Sequence, residues 1–97
     1  MTTKFSYTPL PKHITIGNST IEGLGLYTMR PLMAGEVLGI THGIFENQIW
    51  RTPLGGFINH SDNPNCELVN SGNKYVLHVL KNVRPQTELT VKYSLEQ

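Results

Sequence analysis

A chain of 97 residues has room for one compact domain with a core of its own and for no second one. Its net charge of +1, with Lys and Arg scattered and no basic run, excludes an electrostatic footprint for direct nucleic-acid binding. Only 15% of residues are charged against 38% hydrophobic, low for a small soluble domain, so part of the surface is expected to lie against another subunit.

In chain order, Met1-Thr2-Thr3-Lys4-Phe5-Ser6 lacks the apolar core of a secretory signal, and no later apolar run reaches membrane-spanning length. Cys66 is the single cysteine, so no internal disulfide and no cysteine-built zinc site is possible. The expectation is a cytoplasmic or otherwise intracellular protein, neither secreted nor membrane-bound. The glycosylation sequons Asn18-Ser19-Thr20 and Asn59-His60-Ser61 are then accidental.

Gly and Pro recur every few residues, and no segment sustains a helical period. His13–Gly17 and Gly25–Thr28 read as short strands, the second entering a turn at Arg30-Pro31. Met33-Ala34-Gly35-Glu36 reads as a turn that launches a strand at Val37–Ile40. Phe45 and Ile49 stand four apart, making Phe45–Trp50 the one helix candidate. Strands at Cys66–Val69 and Lys74–Leu80 flank Asn70-Ser71-Gly72-Asn73, a strong hairpin signal. Tyr75–Leu80 is nearly continuously apolar and predicts burial on both faces; Glu88–Val91 is the last strand. The pattern predicts an all-β fold of small sheets.

Three signals stand in order along this frame. Glu22-Gly23-Leu24-Gly25-Leu26-Tyr27 is a Gly-x-Gly segment, whose missing Cβ atoms let a ligand approach the backbone. Phe57-Ile58-Asn59-His60-Ser61-Asp62-Asn63-Pro64-Asn65 sets a polar knot between apolar anchors, where amide and imidazole groups can face a cavity. Glu88-Leu89-Thr90-Val91-Lys92-Tyr93 follows close to the end. Each alone has an ordinary reading: a tight turn, a solvated Asn-Pro loop, a packing tyrosine.

Together, in this order, they resemble the SET-domain protein lysine methyltransferases, from about Ile14 to Tyr93. The resemblance implies a single SET-like domain over residues 1–97, a β-clip-like fold of small sheets whose C-terminal segment threads under a preceding loop. It implies S-adenosylmethionine bound by Glu22, Gly23, Leu24, Gly25, Asn59 and His60, and a target lysine entering from the opposite face. Tyr93 takes the place of the tyrosine where cofactor and lysine meet, and methyl transfer to a neutral ε-amine is in line. Glu88 is open between a pin for the threaded segment and a lesser role.

The chain departs from the family pattern in four places. Thr41-His42-Gly43 stands where the family has Tyr-x-Gly, so Thr41 and His42 replace a channel-lining aromatic. The insert between Gly43 and Gly56 is short, and its Ile44, Phe45 and Trp50 are open between core packing and contact with a second copy. The chain ends at Gln97, before any closing extension, and Val91-Lys92 replaces the commoner Tyr-Asp. An open cleft of this kind suggests completion by a homodimer or higher homo-oligomer. The leading expectation is therefore a protein-lysine N-methyltransferase with a protein substrate. The alternative is a catalytically inactive SET-like binding or assembly module.

Overall fold

The computed structural model describes residues 10–93, so Met1–Ser6 and the last residues to Gln97 lie outside the described residues. Strands β1 (Ile14–Asn18), β2 (Leu24–Thr28) and β3 (Val37–Phe45) are followed by β4 (Gln48–Arg51) and a single helical turn, α1 (Pro53–Gly56). Then come β5 (Asn59–His60), β6 (Cys66–Asn70), β7 (Lys74–Val79) and β8 (Thr87–Val91). One sheet has the order β1-β2-β8-β5 and the other β4-β3-β7-β6. The fold is β-dominated, as the sequence predicts.

Local chemistry sets the turns. Gly72, at φ 77°, supplies the left-handed residue of the β6–β7 hairpin, and Ser71 N–H closes it on Lys74 O at 2.8 Å. Before β3, Gly35 at φ 95° completes the predicted turn, and the Glu36 carboxylate accepts Met33 N–H at 2.8 Å and pairs with Arg30 at 2.9 Å. At α1, Pro53 fits the first helical position and Thr52 Oγ1 accepts Gly55 N–H at 3.3 Å.

Two expectations are corrected. Phe45–Trp50 is not a helix: β3 runs through Phe45, and consecutive left-handed residues, Glu46 at φ 52° and Asn47 at φ 65°, turn it into β4. Two adjacent positive φ values match the twist of a two-residue hairpin, and that geometry overrides a lone four-residue apolar spacing. β7 is also not buried on both faces: Leu77 and Val79 are buried, whereas Lys74, Val76 and His78 on the other face are only half-buried. Its apolar run hides an ordinary two-residue alternation.

The buried core lies between the sheets and contains Leu26, Leu32, Leu54, Ile58, Cys66, Leu77, Val79, Val83, Leu89 and Val91. β8 is the strand the rest closes around, with Leu89 and Val91 both at 0% exposure. It runs antiparallel to β2 on one side and parallel to β5 on the other. Residues 61–65 then close over it: Ser61 N–H bonds Val91 O at 2.9 Å, and the Asn65 carboxamide spans β8. That amide donates to Glu88 O and accepts from Thr90 N–H, each at 2.9 Å. The C-terminal strand is thus threaded beneath the loop and pinned there by a side chain.

Candidate functional site

The parallel pairing of β5 with β8 brings together residues far apart in sequence. Asn59 stands opposite Thr90 and His60 opposite Val91, so the chain leaving β8 delivers Tyr93 to the imidazole. Tyr93 donates its backbone N–H to His60 Nδ1 at 3.0 Å, and its ring lies over the imidazole at 6.3 Å between centroids and 10° between planes. An acceptor Nδ1 carries no proton, which leaves the Nε2 hydrogen for Asp62 Oδ1 at 3.1 Å. Burial pushes the Tyr93 phenol up from its ordinary value, against an opposing pull from the Arg51 charge. The hydroxyl therefore keeps its proton at neutral pH.

Asn59 works toward the Gly-x-Gly segment. Its amide group donates to Glu88 Oε2 at 2.8 Å and lies within bonding distance of Ser19 Oγ and Glu22 O at 3.1 Å and Leu24 O at 3.2 Å. Ser19 O–H reaches both Glu88 carboxylate oxygens at 2.9 Å, while its oxygen accepts N–H from Ile21 and Glu22. Glu88 is therefore a structural pin, tying β8 to the loop before β2 and to β5.

The two glycines do different work. A Cβ on Gly25 would collide with the Glu88 carboxylate and stand 3.1 Å from the Asn59 amide, so this glycine makes room for the pin. Gly23 has φ 46°, and a Cβ built there would meet nothing within 4 Å. Its backbone faces open space beside Leu24, which is 48% exposed.

Thr41 and His42 are both buried. Thr41 Oγ1 donates to Tyr75 O at 3.3 Å and is bonded to His42 Nδ1 at 2.9 Å. The His42 ring meets Tyr75 edge-on at 6.0 Å, and β3–β4 pairing sets Arg51 directly across from it. Burial and then the Arg51 charge push the His42 pKa down, so its ring is neutral. Arg51 thus acts on both His42 and Tyr93. Cys66 lies in the core with its thiol pushed up to about 12, which makes it a packing residue with no thiolate chemistry.

Among the predicted site residues, His60 and Tyr93 are in contact, and Asn59 joins Glu22, Leu24 and Gly25 through its own bonds and through Glu88. Ser19, Asn65 and Arg51 carry parts of the site that sequence reasoning left unassigned. Ser19 was visible only inside a sequon. Asn65 closes the motif that begins at Phe57, and its place directly after the turn residue Pro64 was a usable signal for a loop anchor. Nothing in the sequence tied Arg51 to residues 93 and 42.

A family model for the SET domain matches residues 42–94, just over half of the chain. Among solved structures, a Plasmodium falciparum protein described as a candidate histone methyltransferase aligns with a TM-score of 0.73 at 22% identity, covering 90% of this chain and 97% of that one. The methyltransferase domain of human PR domain-containing protein 2 aligns with a TM-score of 0.67 at 16% identity, covering 91% of this chain and 81% of that one. At such identities the likeness is one of fold. No curated protein matches the sequence.

Proposed function

The chain belongs to the SET-domain family, and from that premise we propose that it is an S-adenosylmethionine-dependent protein-lysine N-methyltransferase. The observation that carries this reading is the anchoring of Tyr93 on His60, next in sequence to Asn59, whose amide bonds the carbonyls on either side of Gly23. When bound, the cofactor supplies a methyl group on a positively charged sulfur.

The residues present fit such a ligand. Gly23 offers approach to main-chain groups, exposed Leu24 offers apolar surface, and the His60–Tyr93 stack offers a flat wall. The Asn59 amide holds the loop carbonyls of Glu22 and Leu24 in place, so it shapes the pocket more than it touches the occupant.

The substrate must be a neutral amine. With a reference pKa of about 10.4, removing the lysine proton costs roughly 4–5 kcal/mol at pH 7. Two features here ease that cost: partial burial around Tyr93, and the Arg51 charge, which disfavours a second cation nearby. The protonated Tyr93 hydroxyl can accept an amine N–H and so aim the lone pair. Buried Thr41 and His42, with Tyr75 behind them, form the wall where the family has a tyrosine. A single free, buried cysteine is in keeping with the proposed intracellular setting, and the proposed substrate is a lysine-bearing protein.

Calorimetry with S-adenosylmethionine and its demethylated product, followed by transfer of labelled methyl to lysine-rich proteins, tests the reading. Binding of both, with turnover lost in Tyr93→Phe while cofactor affinity stays within about threefold, is the expected result. No binding of either would leave the inactive assembly module. Unchanged turnover in Tyr93→Phe would remove the assignment of this tyrosine.

A further inference from the structure

The imidazole of His60 stands between a donor and an anion, and each takes one of its two nitrogens. Nδ1 accepts the Tyr93 backbone N–H at 3.0 Å, and Nε2 lies 3.1 Å from Asp62 Oδ1. Both contacts are met by the neutral ring with its hydrogen on Nε2. A second proton has only Nδ1 to go to, and there it meets an N–H that has no lone pair to offer. Protonation of His60 and the seating of Tyr93 on it therefore exclude each other.

The surroundings leave this contact open to the competition. β8 is held as far as Val91, whose carbonyl accepts Ser61 N–H at 2.9 Å. Past that point, the described bond that ties down the Tyr93 backbone is the one to His60. The His60 side chain is 45% exposed, so a proton reaches the ring without any opening of the core. Asp62 keeps its partner on protonation, since Nε2 still carries a hydrogen and the bond becomes an ion pair. The stack gains a cation over a phenol, but at an exposed site that attraction is small beside an N–H left facing another N–H.

From this geometry we infer that His60 is a proton-operated clasp: the neutral imidazole seats Tyr93 and the imidazolium releases it. Imidazole is the side chain that ordinarily exchanges its proton between about pH 8 and pH 5, so the device answers to mild acid. Asp62, on the same loop, favours the imidazolium. Lys92, exposed on the chain leaving β8, and Arg51 on β4, whose charge is felt at Tyr93, oppose it. Glu88, at the other end of β8, is taken up by Ser19 and Asn59. As a control on methyl transfer the clasp rests on the function proposed above; as a movement of Tyr93 it does not.

Nuclear magnetic resonance of the full 15N-labelled chain, titrated from about pH 8 to about pH 5, tests the clasp without any turnover. At the alkaline end the imidazole should be the Nε2–H tautomer, with ring contacts between His60 and Tyr93. As Nδ1 takes its proton, the Tyr93 amide should lose its hydrogen-bonded shift, and the ring contacts should weaken along the same curve. The Leu89 amide, inside β8, should stay unchanged, which separates release of Tyr93 from unfolding. His60→Asn puts a non-titrating oxygen in the place of Nδ1 and should hold Tyr93 equally at every pH. Asp62→Asn removes the anion that favours the imidazolium, so release should move to lower pH. A Tyr93 amide that ignores protonation of Nδ1, an Nδ1–H tautomer at the alkaline end, or a ring still neutral at the acid end overturns the proposal.

Methyl transfer gives the second reading. Deprotonation of the substrate lysine alone makes the logarithm of the rate rise with a slope of about one per pH unit, and the clasp adds up to about one more on the acid side. His60→Asn should return the slope to about one. A wild-type slope no steeper than that of the variant overturns the control of transfer. No transfer at any pH, with the Tyr93 titration intact, would remove the methyltransferase reading and still support the clasp.

Discussion

Tyr93 is held by His60 twice over, through a 3.0 Å bond from its backbone N–H to Nδ1 and through a near-parallel stacking of the rings. The residue proposed to meet the substrate therefore owes its position to the loop at the centre of the sequence. Backbone and ring are fixed by the same imidazole, so a change at His60 moves the phenol even when Tyr93 is intact.

His60→Ala should accordingly lower methyl transfer by tenfold or more, on the order of 1.4 kcal/mol of transition-state stabilisation. His60 lies at the surface, so thermal stability should drop by only about 1 kcal/mol, the worth of one hydrogen bond. Turnover and melting measured on the same preparation check the pair of expectations. A large loss of stability with little effect on turnover would count against His60 as the anchor.

Asn65→Ala tests the threading. The carboxamide satisfies Thr90 N–H and Glu88 O on β8, alongside its short parallel pairing with β5. Removing it strands two main-chain groups beside the core, which should cost about 2–3 kcal/mol in urea unfolding. Asn65→Asp keeps an acceptor for Thr90 N–H but loses the donor to Glu88 O, so it should fall between wild type and Ala.

Gly25→Ala should be destabilising by about 1–3 kcal/mol, because the new methyl meets the Glu88 carboxylate and the Asn59 amide together. Glu88→Ala costs stability for a different reason, leaving Ser19 and Asn59 without their shared acceptor. Combined, the two changes should cost less than their sum by about 1 kcal/mol, since the clash disappears with the carboxylate. Additive costs would show that Gly25 is constrained by something other than Glu88.

Much of this was legible in the sequence, and the failures have physical causes. Strands β1, β2, β6, β7 and β8 announce themselves as short runs between Gly and Pro positions, β6 and β7 also through the Gly-bearing turn at Asn70–Asn73. The β3–β4 hairpin was misread because Phe45 and Ile49 mimic one helical turn, while the usable signal was Asn47, a residue type enriched at positive φ; Glu46 beside it gives no such signal. The half-exposed outward face of β7 was missed because Val76 is apolar whichever way it points. Ordered motifs named His60 and Tyr93, which the structure sets in contact. Ser19 and Arg51 act through space across 69 residues in one case and across the sheets in the other, and no local pattern encodes that.

His42 gives the fold a pH dependence whose sign follows from its burial. In the unfolded chain histidine titrates near 6.5, and burial with Arg51 opposite lowers the folded value. Below about 6.5 the unfolded state takes up a proton that the native state refuses, which favours unfolding. The contribution is fully present above that pH and is lost as pH falls through the depressed folded value. Unfolding free energy measured from pH 7.5 to 5 should therefore decline for the wild type and decline less steeply for His42→Asn. Equal slopes would mean that His42 is protonated without penalty.

Arg51 should govern the pH dependence of turnover. If its charge helps strip the proton from an amine arriving beside Tyr93, then Arg51→Gln raises the amine pKa and moves the rising limb of the rate profile to higher pH. A single charge at partly screened distance is worth about half a pKa unit to one unit. At neutral pH the variant should be about three- to tenfold slower, and the deficit should close as pH rises past the shifted limb. Arg51→Lys, which keeps the charge, should restore most of the wild-type profile. A structural defect would behave differently, lowering the rate by one factor at every pH. The convergence of the two curves at high pH is therefore the diagnostic, and parallel curves would remove Arg51 from the account of how the lysine is neutralised.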